Sequence, residues 1–199
     1  MKNFLCLFVA LAIILGSCSH DDSNEPDNGN NVTLPKKIQY TNPDYPDRNF
    51  TSAIKYVGNR IVSFTTEKTR TDYTYQGNLI VKITTYDIRY NKNDKLVEDS
   101  YSYTGGKLSS WTSAENFTSE YPFGEYRSKS VYTYNADDTI TKEKYQINTT
   151  TGEETKSNYF DVFTYKNGNL ITLVSTDTNS LPYSVNTSIY EYDTKKQSI

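Results

Sequence analysis

Few side chains in this sequence are suited to covalent or metal chemistry. Its 199 residues include one histidine, His20, and two cysteines, Cys6 and Cys18. That leaves almost no room for thiol, zinc or histidine-triad chemistry, each of which needs several such groups together. The 24 acidic residues are the remaining acid–base candidates. Glycoside hydrolysis needs two carboxylates about 5–10 Å apart across a cleft, and Glu143, Glu153, Glu154 and Glu191 have no spacing that pairs them. Asp137, Asp138 and Asp161 do not form the alternating acidic ladder of a calcium loop. Gly105-Gly106 lacks the following helix and Lys-Ser/Thr of a phosphate loop. The expectation is a protein that is not an enzyme, with no cofactor and no bound metal. A net charge of −3 provides no basic footprint for nucleic acid. The abundant reactive surface is aromatic: 19 Tyr, 8 Phe and 1 Trp. Such rings build sheets, and when exposed their flat faces stack on sugar rings.

Cys18 has a more specific context. Phe4 to Leu15 is an uncharged apolar run following Lys2. It falls short of the roughly 20 residues a membrane span needs and fits the apolar region of a signal peptide. Leu15-Gly16-Ser17-Cys18 resembles the bacterial lipoprotein lipobox. The resemblance implies that the Cys18 thiol accepts a diacylglycerol, that residues 1–17 are removed with Cys6, and that the new amine is acylated, typically with palmitate. Two or more acyl chains anchor stably where one does not. Residues 18–36 then read as the lipidated cysteine and a flexible acidic tether, too polar to offset the entropy of ordering. His20 lies in this tether, so no metal role is expected of it. Asp21-Asp22, with Glu25 and Asp27, resembles the surface-export signal of Bacteroidota lipoproteins, and Ser19 after the cysteine resembles an outer-membrane sorting signal. The expected location is the outer membrane, with the protein lipid-anchored and its domain facing the cell surface or, alternatively, the periplasm.

Residues 37–199 must fold without thiol chemistry, and they repeat one phrase. It occurs at Ile54-Lys55-Tyr56, Tyr73-Thr74-Tyr75, Tyr101-Ser102-Tyr103, Tyr132-Thr133-Tyr134, Phe163-Thr164-Tyr165 and Tyr190-Glu191-Tyr192. The starts are 19, 28, 31, 31 and 27 residues apart. Aromatics at i and i+2 share one face of a strand. The Gly, Asn and Asp residues that follow suit tight reversals. The phrase therefore predicts an all-β domain, an open antiparallel meander of successive hairpins. Leu79, Leu108, Ile140 and Leu170 are expected in one layer beside Tyr73, Tyr101, Tyr132 and Phe163. Lys195 and Lys196 are expected to guard the last strand edge.

The phrase resembles the YD repeat of RHS-type proteins, and more closely the Tyr-rich repeats of uncharacterised Bacteroidota lipoproteins. Tyr190-Glu191-Tyr192-Asp193 is the nearest match to its opening. The resemblance covers about residues 54–199 and implies a fold and a location but no activity.

Residues 109–128 read as an insertion between repeats, rich in aromatics. Because loops carry binding residues more often than strands do, Trp111, Phe117, Tyr121, Phe123 and Tyr126 form the candidate ligand site. Asp138-Thr139-Ile140 resembles the Bacteroidota O-glycosylation acceptor, with Thr139 expected to be accessible at a hairpin. The functional expectation is a lipid-anchored envelope protein with a binding or surface-structural role, its partners being the membrane and an envelope protein or glycan. The alternative is a surface glycan-binding accessory protein that uses exposed aromatics.

Overall fold

The computed structural model describes residues 34–179 and 181–192. The signal peptide, Cys18, His20, the acidic cluster, Lys195 and Lys196 lie outside the described residues. From Pro35 onward the chain forms a compact unit. Its strands are β1 (Lys37–Tyr40), β2 (Phe50–Val57), β3 (Arg60–Thr65), β4 (Thr69–Gln76), β5 (Leu79–Asp87), β6 (Asp94–Thr104), β7 (Lys107–Glu115), β8 (Tyr126–Tyr134), β9 (Thr139–Ile147), β10 (Glu154–Lys166), β11 (Asn169–Asp177) and β12 (Ser184–Ile189). Two short 3-10 turns, Pro46–Arg48 and Arg89–Asn91, interrupt them. Among the described residues no helix is long and apolar enough to cross a membrane.

All twelve strands form one sheet in sequence order, and every neighbouring pair is antiparallel. This is the meander that the repeated phrase predicts. Among the described residues β12 does not pair with β1, so the sheet is open and not a barrel.

Each of the first five phrases sits at the mouth of a hairpin. At Gly105-Gly106 both central residues have positive φ, +58° and +75°, the requirement of a type I′ turn. Four hairpins share a bulge just after the turn. The pairing shifts by one residue past Lys55, Thr74, Ser102 and Thr164, leaving Val62, Val81, Ser109 and Ile171 extra. A bulge adds one unpaired residue and sharpens local twist. The β8–β9 hairpin has none.

Three expectations need correction. Leu79 is not in the aromatic layer: it pairs with Gln76 beside the turn, and Ile80 opposite Tyr75 takes the place. Residues 109–128 are not an insertion, because β7 runs through Trp111 to Glu115 and β8 starts at Tyr126. Tyr190-Glu191-Tyr192 does not lie inside a strand. β12 ends at Ile189, and Tyr190 only donates its backbone N–H to the Ile171 carbonyl at 2.9 Å.

Strands make substantial contact only with their sequence neighbours, so among the described residues no second layer covers either face. Among the described residues the buried apolar side chains are correspondingly few: Ile54, Phe64, Ala114 and Ile147. Short polar side chains are buried as deeply, among them Ser52, Thr71, Ser130 and Asp161. In a single layer a side chain is covered only by its lateral neighbours. Ser130, between Trp111 on β7 and Lys144 on β9, sinks between longer side chains. Cross-strand pairs worth about 0.2–1 kcal/mol each, rather than one central core, hold such a sheet.

Candidate functional site

Alternation along the strands sorts the side chains onto two faces. The register puts Tyr73, Tyr75, Tyr101, Tyr103, Trp111, Tyr132, Tyr134, Phe163 and Tyr165 on one face. The other face is richer in threonine, serine and charge, with ion pairs such as Lys129–Glu154 at 2.9 Å and Lys156–Glu143 at 2.5 Å.

The aromatic face has two rows. The inner row holds the first aromatic of each phrase. Burial pushes the Tyr73 and Tyr101 phenols above their ordinary range, and Tyr132 up to about 12. The outer row, at the hairpin mouths, holds the second tyrosine of each phrase. Successive members are two strands apart, about 9.5 Å. Tyr134 and Tyr165 are each 40% exposed and Tyr192 is 49% exposed. Tyr75, Tyr103 and Tyr192 donate their hydroxyls to the Ile61, Ile80 and Leu170 carbonyls at 2.9, 2.8 and 2.9 Å. Beside the first hairpin an open recess of about 480 Å³ is lined by Val57, Gly58, Asn59, Arg60, Val62 and Tyr75. The Arg60 guanidinium lies 5.6 Å from the Tyr75 ring centre.

The five aromatics expected to form a site are not brought together. Trp111 is a strand residue opposite Tyr101, and its indole N–H donates to Asp99 Oδ1 at 2.9 Å. Burial raises the Asp99 carboxyl above its ordinary pKa, and hydrogen bonds from Trp111 and Ser113 partly offset this. Phe117, Tyr121 and Phe123 lie in loop 116–125, at the end of the sheet away from the phrase turns. The Lys95 ammonium sits 4.4 Å over the Phe117 ring, while Phe123 is 70% exposed. Tyr126 opens β8 on the aromatic face, four residues from the level of Trp111, about 13 Å along the strand. Thr139 is half-buried at the hairpin mouth. Its hydroxyl donates to Asp137 Oδ1 at 2.7 Å and accepts from Asn135 Nδ2 at 2.9 Å.

A charged group on this face is absent from the sequence expectations: Lys142, Lys144 and Asp161. The i, i+2 spacing of the two lysines was a legible sign that they share a face, but their meeting with Asp161 depends on the β9–β10 register. The carboxylates embedded in the face do not pair. Asp99 on β6 and Asp161 on β10 are four strands apart, about 19 Å.

No protein-family model matches the sequence, and no curated protein does. Among solved structures, the chain is similar to a protein of unknown function from Bacteroides fragilis NCTC 9343, at 13% identity and a TM-score of 0.46. The similarity covers 62% of this chain and 93% of the other.

Proposed function

We propose that this is a lipid-anchored, non-enzymatic binding protein of the bacterial outer envelope, held by Cys18 and working through the aromatic face of its sheet. The carrying observation is the outer tyrosine row: one phenol ring per hairpin, partly exposed, on a face that no second layer covers among the described residues. An uncovered aromatic surface of this extent is unusual in a protein without a partner. The wide separation of Asp99 and Asp161 supports a binding role over carboxylate catalysis. The lipobox resemblance at Leu15 to Cys18 supports the anchor, and the acidic residues after it support display at the cell surface.

Two measurements test this reading. A clickable palmitate analogue should label the parent but not Cys18→Ala, and the variant should leave the membrane fraction. The full chain immobilised on beads should retain envelope polysaccharide or protein that Tyr134→Ser/Tyr165→Ser releases. Equal palmitate labelling of both proteins, or equal retention by both, contradicts the corresponding half of the proposal.

A further inference from the structure

The aromatic face carries a cationic cluster whose charges do not balance. On β9, Lys142 stands between Tyr132 on β8 and Asp161 on β10. Two residues on, the Lys144 ammonium lies 4.2 Å from the centre of the Tyr159 ring. Both ammonium groups approach the same oxygen, Asp161 Oδ2, at 3.7 and 3.8 Å. The other oxygen, Oδ1, accepts the Ser175 hydroxyl at 2.7 Å.

Two lysines on one carboxylate leave one positive charge in excess. Both N···O separations exceed hydrogen-bond distance, so ammonium N–H donors remain for another acceptor. The Lys142 side chain is only 17% exposed, so its charge has lost much of its water. That burial holds its pKa below the usual lysine value, the neighbouring Lys144 charge adds to the effect, and Asp161 opposes it. Lys144, at 41% exposed, opens the cluster to solvent. Tyr132 on β8 flanks Lys142, and the Tyr159 ring lies under the Lys144 ammonium.

We infer that Lys142, Lys144, Tyr132 and Tyr159 form a subsite for an anionic pyranose, whose carboxylate or sulfate meets the two ammonium groups while its C–H face lies on a tyrosine ring. This rests on the aromatic face being the binding surface. Charge complementarity selects the ligand: the excess charge is positive, and the flanking rings are neutral. A lysine ammonium is a point charge that accepts either anion, so the two sources are separated by the test.

The full chain is titrated with tetragalacturonate and with a κ-carrageenan tetrasaccharide, with maltotetraose and tetraglutamate as neutral and peptide controls. At least one acidic tetrasaccharide should bind better than both controls. Lys144→Gln, which leaves Asp161 its Lys142 and Ser175 partners, should weaken that binding by roughly tenfold or more. Lys144→Arg should retain most of it, and the thermal melts of both variants should match the parent. Failure of both acidic tetrasaccharides to bind overturns the subsite. So does equal binding of either control, or binding that Lys144→Gln leaves unchanged. Maltotetraose binding that is lost in Tyr134→Ser/Tyr165→Ser but kept in Lys144→Gln would overturn the subsite while leaving the aromatic platform standing.

Discussion

The phenol of Tyr103 donates a 2.8 Å hydrogen bond to the backbone carbonyl of Ile80, the second residue of the return strand of the preceding hairpin. Tyr75 does the same to Ile61 and Tyr192 to Leu170. The ladders explain why these carbonyls are free. The β3–β4, β5–β6 and β11–β12 pairings end at Ser63, Lys82 and Thr172, short of Ile61, Ile80 and Leu170. Each of these return strands carries a bulge. After the bulge-free hairpin, the β9–β10 ladder runs on through Ile140 to Thr139, leaving no such carbonyl for Tyr165. Tyr134, after the third bulge, instead lies 4.9 Å below the Lys107 ammonium. The tyrosine hydroxyl thus closes a gap that the bulge opens in the backbone pairing.

Tyr103→Phe removes that hydrogen bond and keeps the ring. The expected cost is about 1 kcal/mol, or roughly 2–4 °C in melting temperature for a domain of this size. Tyr165→Phe should be nearly neutral. Thermal melts of the two variants check the contrast, and equal losses would show that the bond to the carbonyl is not what matters.

Asp99 provides a pH test. Its folded pKa is raised, first by burial, so the native state holds its proton more tightly than the unfolded chain. The stabilisation from the neutral form is complete below the unfolded pKa of about 3.9 and is lost as pH rises through the folded value. Asp99→Asn keeps an oxygen to accept the Trp111 N–H and carries no charge. The variant should gain on the parent in melting temperature at pH 7, and that advantage should shrink as pH falls toward 4. A difference that stays constant with pH would count against a buried, ionising Asp99.

Gly124 positions loop 116–125 against β7. Its φ is +92°, and an added Cβ would come within 3.0 Å of the Glu115 carbonyl and 3.1 Å of the Ala114 Cβ. Gly152 also has positive φ, +74°, but open space around it. Gly152→Ala should therefore cost about 1–2 kcal/mol from backbone strain alone. Gly124→Ala should cost clearly more, because backbone atoms must also move. Urea titrations of both proteins measure the ordering, and a smaller loss for Gly124→Ala would refute it.

How much of this was readable in advance depended on the kind of signal. The hairpins were legible because aromatics two apart, followed by Asn167-Gly168 or Gly105-Gly106, carry both the strand period and the turn chemistry. Leu79-Ile80-Val81 misled because three apolar residues in a row hide which one the bulge displaces. Ser109-Ser110-Trp111-Thr112-Ser113 looked like loop because serine is a weak strand former. Pairing of residues 110–113 with both β6 and β8 overrides that preference. The tyrosine-to-carbonyl bonds and the Lys142–Asp161–Lys144 cluster join residues on different strands, so they emerge only once register is known.

The uncovered aromatic face is tested most directly by timed acetylation of tyrosines in the folded full chain, read by peptide mass spectrometry. Tyr134 and Tyr165, exposed at the hairpin mouths, should react well before Tyr101 and Tyr132, which are half-buried in the inner row. If Tyr134 and Tyr165 are protected as fully as Tyr101 and Tyr132, the face is covered and the proposed binding surface does not exist.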